Sequence, residues 1–248
     1  MSQSSSRYGK VYLVGAGPGA TDLITVRGAR LLSQADVVLH DALVTADMLA
    51  LAPQADKIAV GKRSGQRSTA QLAINALLID CAEKYRTVVR LKGGDPMLFG
   101  RADEELQALE TLGIDVEIVP GVTTAFAAAA ETRQPLTKRG IARSIAFFTS
   151  ATAPQHADEL AMPDSDTLIQ YMGGREAIAT AEKLIAQGRS LDLPVVVIEN
   201  CSLPNQIVTR MRLRDLAQGL GERQGPVLVM IGEAMAARAN QQGDRQAN

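Results

Sequence analysis

Val88-Val89-Arg90-Leu91-Lys92-Gly93-Gly94-Asp95-Pro96-Met97-Leu98-Phe99-Gly100-Arg101 is the stretch from which the rest of the chain reads outward. It opens as an apolar, β-branched run, the pattern of a buried strand. It stops at Gly93-Gly94, where adjacent glycines allow positive φ and let a ligand lie against bare main chain. Pro96 sets the next turn and biases Asp95 away from helix. Arg101 stands just ahead of Asp103-Glu104-Glu105, which read as the acidic first turn of a helix. A strand that ends in a glycine loop with one Asp and one Arg is where α/β sheets hold ligands. The bland alternative is a tight turn that needs glycine for geometry alone.

Upstream, the same pattern repeats. Lys10 to Val14 reads as a strand running into Gly15-Ala16-Gly17-Pro18-Gly19-Ala20. Thr25 to Gln34 has helical spacing, with Val26, Ala29 and Leu32 on one face. Ala35 to Leu39 is a second predicted strand, closed by His40-Asp41, followed by a short helix over Ala46 to Leu51. Lys57 to Val60 is a third, ending at Gly61-Lys62-Arg63-Ser64-Gly65. Ser68 with Gln71 reads as a capping box opening a helix to about Lys84. After the quoted stretch come a helix over Asp103 to Leu112 and a strand over Val116 to Val119. Such alternation defines an α/β sheet with helices on its faces. With parallel strands, the Gly15 loop, Asp41, Lys62 and Gly93-Gly94-Asp95 share one rim, a natural ligand crevice.

Beyond Pro120-Gly121-Val122-Thr123-Thr124 the pattern changes. Ala127 to Ala130 forms a small-residue helix, and Pro135-Leu136-Thr137-Lys138-Arg139 interrupts the alternation. A second set follows. Its strands are expected over Ser144 to Thr149, Thr167 to Tyr171, Val195 to Glu199, Gln206 to Arg210 and Val227 to Ile231. Its helices are expected over Arg175 to Gln187 and Leu213 to Leu220, and its short connections suggest a mixed sheet. The expected division is an N-terminal α/β domain over 9–125 and a C-terminal α/β domain over 126–240.

Composition narrows the function. The 248 residues are 46% hydrophobic and 21% charged with net charge −1, an ordinary globular balance. Near-neutral charge, 3% aromatics and no Trp argue against a nucleic-acid binder. No apolar run is long enough to span a membrane. Cys81 and Cys201 show no metal spacing and fit a reduced, cytoplasmic compartment. His40 and His156 fit no metal or triad spacing and read as structural, and no metal-ligand cluster is visible. Gly15 to Ala20 matches the dinucleotide fingerprint, which keeps a nicotinamide-dependent oxidoreductase open. In that fold, however, the helix opens inside the fingerprint, whereas here Thr21-Asp22-Leu23 reads as loop.

Taken together and in order, several segments resemble the tetrapyrrole (class III) methyltransferases. They are Val14-Gly15-Ala16-Gly17-Pro18-Gly19, Asp41 with Leu43-Val44, Val60-Gly61-Lys62-Arg63, Val89 to Pro96, Phe99-Gly100-Arg101, Val119-Pro120-Gly121-Val122-Thr123 and Tyr171-Met172-Gly173. The resemblance runs from about Lys10 to Ala236. It implies a homodimer of two-domain α/β subunits, with S-adenosylmethionine and the active site in the cleft between the domains. It implies methylation of uroporphyrinogen III at carbon, with a later precorrin as the alternative acceptor. By position it assigns cofactor contacts to Pro18, Gly93, Gly94, Asp95, Leu98, Thr123, Thr124, Met172 and Cys201. It gives Asp41 and Lys62 proton-transfer roles, which a strand-end Asp acting as a turn residue would rival.

The acceptor carries eight carboxylates, so cationic side chains are needed. Arg63, Arg67, Arg101, Lys138, Arg139 and Arg143 are the candidates, each weighed against a solvated surface charge. Arg101 stands out, because it lies in the motif and a guanidinium can grip a carboxylate with two donors. The chain departs from the family's commonest pattern at several positions. Cys201 replaces Gly, which leaves a backbone contact. Arg67 and Lys138 replace His, Ala102-Asp103 replaces Gly-Gly, and Thr149-Ser150-Ala151 replaces Thr-Gly-His. These changes cluster on the expected substrate side.

Overall fold

The computed structural model describes residues 7–60, 67–150 and 161–237. The chain divides between Thr124 and Ala125 into two compact units. In the first, β1 (Lys10–Gly15), β2 (Val37–His40), β3 (Asp56–Ala59), β4 (Thr87–Lys92) and β5 (Val116–Val119) form one sheet in the order β3-β2-β4-β1-β5. Every pairing in it is parallel, with Val14 opposite both Leu91 and Val119. The inner strands β2, β4 and β1 are largely buried and rich in Val and Leu, as a covered parallel sheet requires, whereas the edge strand β3 is mostly exposed and β5 only partly buried.

The helices divide between the two faces. Leu31 and Leu32 of α1 (Val26–Ser33) and Met48 of α2 (Ala46–Leu49) pack with Val14, Val38, Val89 and Leu91. Leu78 and Cys81 of α3 (Arg67–Lys84) and Leu109 of α4 (Ala102–Glu110) pack on the other face with Val11, Leu13, Val37 and Val88. The connection leaving β1 therefore crosses one face and the connection leaving β4 crosses the other. Those two strands are neighbours, so the chain reverses direction across the sheet between them. Such a reversal point opens a crevice at the carboxyl ends of the strands.

The second unit contains α5 (Thr124–Thr132, all but its first residue) and a mixed sheet in the order β6-β7-β10-β8-β9. Its strands are β6 (Ile145–Thr149), β7 (Thr167–Tyr171), β8 (Pro194–Glu199), β9 (Ile207–Arg212) and β10 (Val227–Ile231). Only β6 and β7 pair in parallel. The helices α6 (Gly173–Ala186) and α7 (Leu213–Leu216) cover it, with Ala177, Ala181, Leu184, Leu213 and Leu216 in the core.

Every predicted strand is present to within two residues. The helices differ more. α5 starts at Thr124, three residues before the predicted alanine run, and α7 stops at Leu216 instead of Leu220. Ser68 lies inside α3, which already includes Arg67, so the expected Ser68–Gln71 capping box is not the helix start. Gln71 instead donates to Asn75 Oδ1 at 2.9 Å. No helix of the described residues is long and apolar enough to cross a membrane.

Candidate functional site

The loops after β1, β4 and β5 meet at the reversal point through their glycines. Gly94 N donates to Gly17 O at 2.7 Å and Gly17 N donates to Gly94 O at 3.1 Å, a two-bond ladder joining the first and fourth loops. A Cβ on Gly15 would stand 2.5 Å from Gly121 Cα and 2.7 Å from Gly94 O, so Gly15 is dictated by close backbone approach. Gly94 is different. Its φ of 69° demands glycine-like freedom, yet a Cβ there would meet nothing within 4 Å. Its Cα faces open space at the rim.

The acidic residues of the rim hold this geometry. Asp95 Oδ1 accepts from Met97 N at 2.8 Å and Oδ2 from Gly121 N at 2.9 Å, tying the fourth loop to the fifth. Asp41 Oδ1 accepts from Leu43 N at 2.9 Å and Oδ2 from Gly93 N at 3.0 Å, tying the second loop to the fourth. Both carboxylates thus have backbone amides on each oxygen, and the turn role weighed for Asp41 is present. Each oxygen keeps a further lone pair for a ligand hydroxyl or amine. Apolar Leu43, Met97 and Phe99 stay exposed around them.

Pro18 follows the Gly17 ladder, Leu98 lies in the fourth loop, Thr123 is buried behind Gly121, and Thr124 opens α5. Arg101 adopts left-handed backbone (φ 56°) at the cap of α4. Its Nε and Nη2 donate to Glu104 Oε1 and Oε2, each at 2.7 Å, and this hydrogen bond holds the Glu104 carboxyl below its usual range. The fork expected for a substrate carboxylate is therefore engaged with a neighbouring one. Lys62 and Arg63 lie outside the described residues, as do His156 and Ala151 and the side chain of Arg67. His40 Nδ1 lies 3.1 Å from Asp41 O.

In the second unit, Met172 caps α6 with φ 57° and is half exposed, so it is not core packing. Cys201 follows β8 between two left-handed residues, Asn200 (φ 52°) and Ser202 (φ 63°). β7 and β8 each run antiparallel to β10 between them, so Met172 and Cys201 stand on the same rim of that sheet. Burial, then the charge of Glu131, pushes the Cys201 thiol up to about 12, which leaves it without thiolate reactivity. Among the other candidate cations, Lys138 N donates to Ala142 O at 2.8 Å, closing the Lys138–Ala142 turn that carries Arg139. Arg143 N donates to Asp166 at 2.9 Å. Ser150 Oγ lies 3.0 Å from Thr180 Oγ1. No His, Cys, Asp and Glu cluster of metal-binding size occurs among the described residues.

The first glycine run does not behave as a dinucleotide turn. A 3₁₀ turn, Thr21–Leu23, follows it, and α1 starts only at Val26 under a Thr25 cap. α1 thus opens seven residues after Gly19 and not inside the glycine run, as the dinucleotide fingerprint would have it. The run's amides and carbonyls instead knit the β1 loop to the β4 loop.

An all-parallel sheet whose glycine loops interlock at the reversal point, joined to a mixed α/β unit, defines the class, and the family follows. The chain belongs to the tetrapyrrole (corrin/porphyrin) methylases, matching that family over residues 10–217. It is 41% identical to a uroporphyrinogen-III C-methyltransferase of Synechococcus elongatus, across 93% of this chain and 95% of that protein. It is 43% identical to a siroheme synthase of Baumannia cicadellinicola, across 93% of this chain but 51% of that protein. The chain thus spans about half the length of the curated siroheme synthases it matches. The crystal structure of a uroporphyrin-III C-methyltransferase from Thermus thermophilus complexed with S-adenosylhomocysteine superposes with a TM-score of 0.81 at 39% identity, covering 91% of this chain and 93% of that one.

Proposed function

We propose that this chain transfers methyl groups from S-adenosylmethionine to carbon atoms of uroporphyrinogen III, giving precorrin-2 by way of precorrin-1, in siroheme or cobalamin-type tetrapyrrole synthesis. The observation that carries this reading is the open main-chain face at Gly94, braced by Gly17, Asp41 and Asp95. Bare amides and carbonyls suit the charged methionine end of such a donor, and the spare lone pairs of Asp95 suit its hydroxyls. Pro18, Gly93, Gly94, Asp95, Leu98, Thr123 and Thr124 are assigned to the donor. The family's pattern adds Met172, as apolar surface for adenine, and the backbone at Cys201.

The donor supplies an activated methyl. The sulfur keeps the electron pair of the breaking bond, and the electron-rich ring carbon provides the pair for the new one. The protein's own work is alignment and proton removal. Asp41 and Lys62 are proposed for the proton, and Arg101 for a substrate carboxylate, which would draw its fork away from Glu104. The active form is proposed to be a homodimer.

Titration calorimetry tests the cofactor: S-adenosylhomocysteine should bind saturably and NADH should not. Incubation with uroporphyrinogen III and S-adenosylmethionine, followed by mass spectrometry, should show additions of one and then two methyl groups. Binding of NADH alone, or an unmodified macrocycle, overturns the reading.

A further inference from the structure

The loop from Gly93 to Arg101 carries three left-handed residues, Gly94 (φ 69°), Phe99 (φ 53°) and Arg101 (φ 56°). Side-chain-bearing residues hold such backbone only where their surroundings impose it. Beneath the loop lies a buried cluster of charges. Alternation along β4 puts Arg90 and Lys92 on the α3–α4 face, where both are almost fully buried. Glu105, one turn into α4 and wholly buried, meets them there. Its Oε2 accepts from Lys92 Nζ at 2.8 Å and its Oε1 from Arg90 Nε at 3.1 Å. Gln71 of α3 approaches the same Oε1 at 3.5 Å.

Two partners of one acid do different jobs here. Lys92 is the residue immediately before Gly93, and Glu105 lies four residues beyond Arg101, so their ion pair joins the two ends of the strained loop. The loop also rests on the Lys92 stem, since a Cβ on Gly100 would lie 3.1 Å from Lys92 Cε. Arg90 sits deeper in the strand and turns its Nη1 to Leu91 O at 3.1 Å, out of the loop. Burial and the charge of Arg90 lower the Lys92 pKa, while Glu105 and Asp41 oppose that fall. Asp41 also binds the Gly93 amide, so the loop's first residue is held by charged groups from two strands.

We propose that Lys92 and Glu105 are positioning residues: their buried pair clasps the two ends of loop 93–101, and it sets the affinity of that loop for the S-adenosyl cofactor and the presentation of Arg101 without touching either ligand. The inference rests on the proposed function for its ligand, though not for its mechanics. The chemistry of the clasp explains why an ion pair stands where apolar residues would bury more cheaply. It is directional, and losing Glu105 would strand both buried cations.

Lys92→Met separates clasp from core, because it leaves Arg90 and Glu105 as a balanced pair and a stem of similar length under Gly100. Arg90→Met leaves the clasp and removes the deeper partner. In calorimetry with S-adenosylhomocysteine, Lys92→Met should bind roughly ten- to hundredfold more weakly at unchanged stoichiometry, the scale expected of a misplaced contact loop. Arg90→Met should keep wild-type affinity while melting at lower temperature. Equal losses of affinity in both variants, or none in Lys92→Met, overturn the proposal. If Lys92→Met does not fold, Lys92→Gln carries the same test, with an amide that still donates to Glu105 and a loss of affinity smaller than roughly tenfold. If the wild type itself does not bind S-adenosylhomocysteine, the functional reading fails. The clasp is then judged by amide hydrogen exchange over residues 94–101, which should quicken in Lys92→Met and not in Arg90→Met.

Discussion

Gly94 and Gly121 are both glycines of the rim, and they answer to different constraints. At Gly121 a Cβ would collide with Gly94 O, while at Gly94 it would meet nothing and only the positive φ objects. Gly94→Ala should therefore fold and lose about 1–2 kcal/mol, the cost of left-handed backbone for an L residue. Gly94→Val should fold too, by circular dichroism, and lose measurable S-adenosylhomocysteine binding. Gly121→Ala should fail at the level of folding. Binding retained in Gly94→Val would move the cofactor away from this loop. Arg101 makes a similar contrast. Its pair with Glu104 is about half exposed on both sides, so breaking it should change stability by less than about 1 kcal/mol. If the same guanidinium grips a substrate carboxylate, Arg101→Leu should lower kcat/KM roughly ten- to hundredfold, with Arg101→Lys recovering part, while S-adenosylhomocysteine affinity stays near wild type. Unchanged turnover in Arg101→Leu would remove it from the site.

At the scale of elements, Glu199 at the end of β8 is the clearest pH-sensitive joint. Burial raises its pKa, but hydrogen bonds from Gly225 N and Gln224 N, each 2.8 Å, and from Arg223 outweigh burial and leave it lowered. A carboxyl with a depressed folded-state pKa stabilises fully above its unfolded value, near pH 4.3, and loses that contribution as pH falls through the folded value. Thermal melts from pH 7 to pH 3 should show this decline, and Glu199→Gln should be less stable at pH 7 yet flatter across the acid limb. An equally steep limb in the variant would assign the decline to other carboxylates. The strands were legible in sequence because β-branched runs bounded by Gly, Pro and Asp carry their own signal. Thr124 as a helix start was not legible, because nothing in Thr123-Thr124 distinguishes cap from first turn. Nor was the ionic face of β4. Arg90 and Lys92 fall every second residue, a spacing that ordinarily marks a solvated face, and the acid that buries them arrives from another element. The site was legible as glycines and acids after parallel strands. One oxygen of each of Asp41 and Asp95 accepts from an amide two residues on, a local turn pattern, but the other depends on amides 52 and 26 residues away, which local pattern does not carry.

For the whole molecule, the sheet of the second unit ends at β9, where Ile207 and Val208 are exposed on an edge strand. An apolar edge is a pairing template unless it is covered. A symmetric dimer would cover a self-complementary patch, and sedimentation should return twice the 26.3 kDa mass of the chain. Ile207→Lys should then shift the equilibrium toward monomer. A wild-type monomer at micromolar concentration would refute the proposed homodimer.

The strand order of the first sheet also governs how that unit comes into being during synthesis. β1 has no ladder partner until β4 and β5 exist, and β2 has only β3 until then. A nascent chain that stops short of Thr87 thus carries one two-stranded ribbon and one unpaired hydrophobic strand. Long-range parallel pairing is slow to close, and such a strand is open to wrong partners while it waits. Insertion of Thr87–Lys92 between β2 and β1 is the event that unites the two halves. The glycine loop that follows is among the next residues to leave the ribosome, but sheet and rim close only when Val116–Val119 and then Gly121 emerge, so the two are completed almost together.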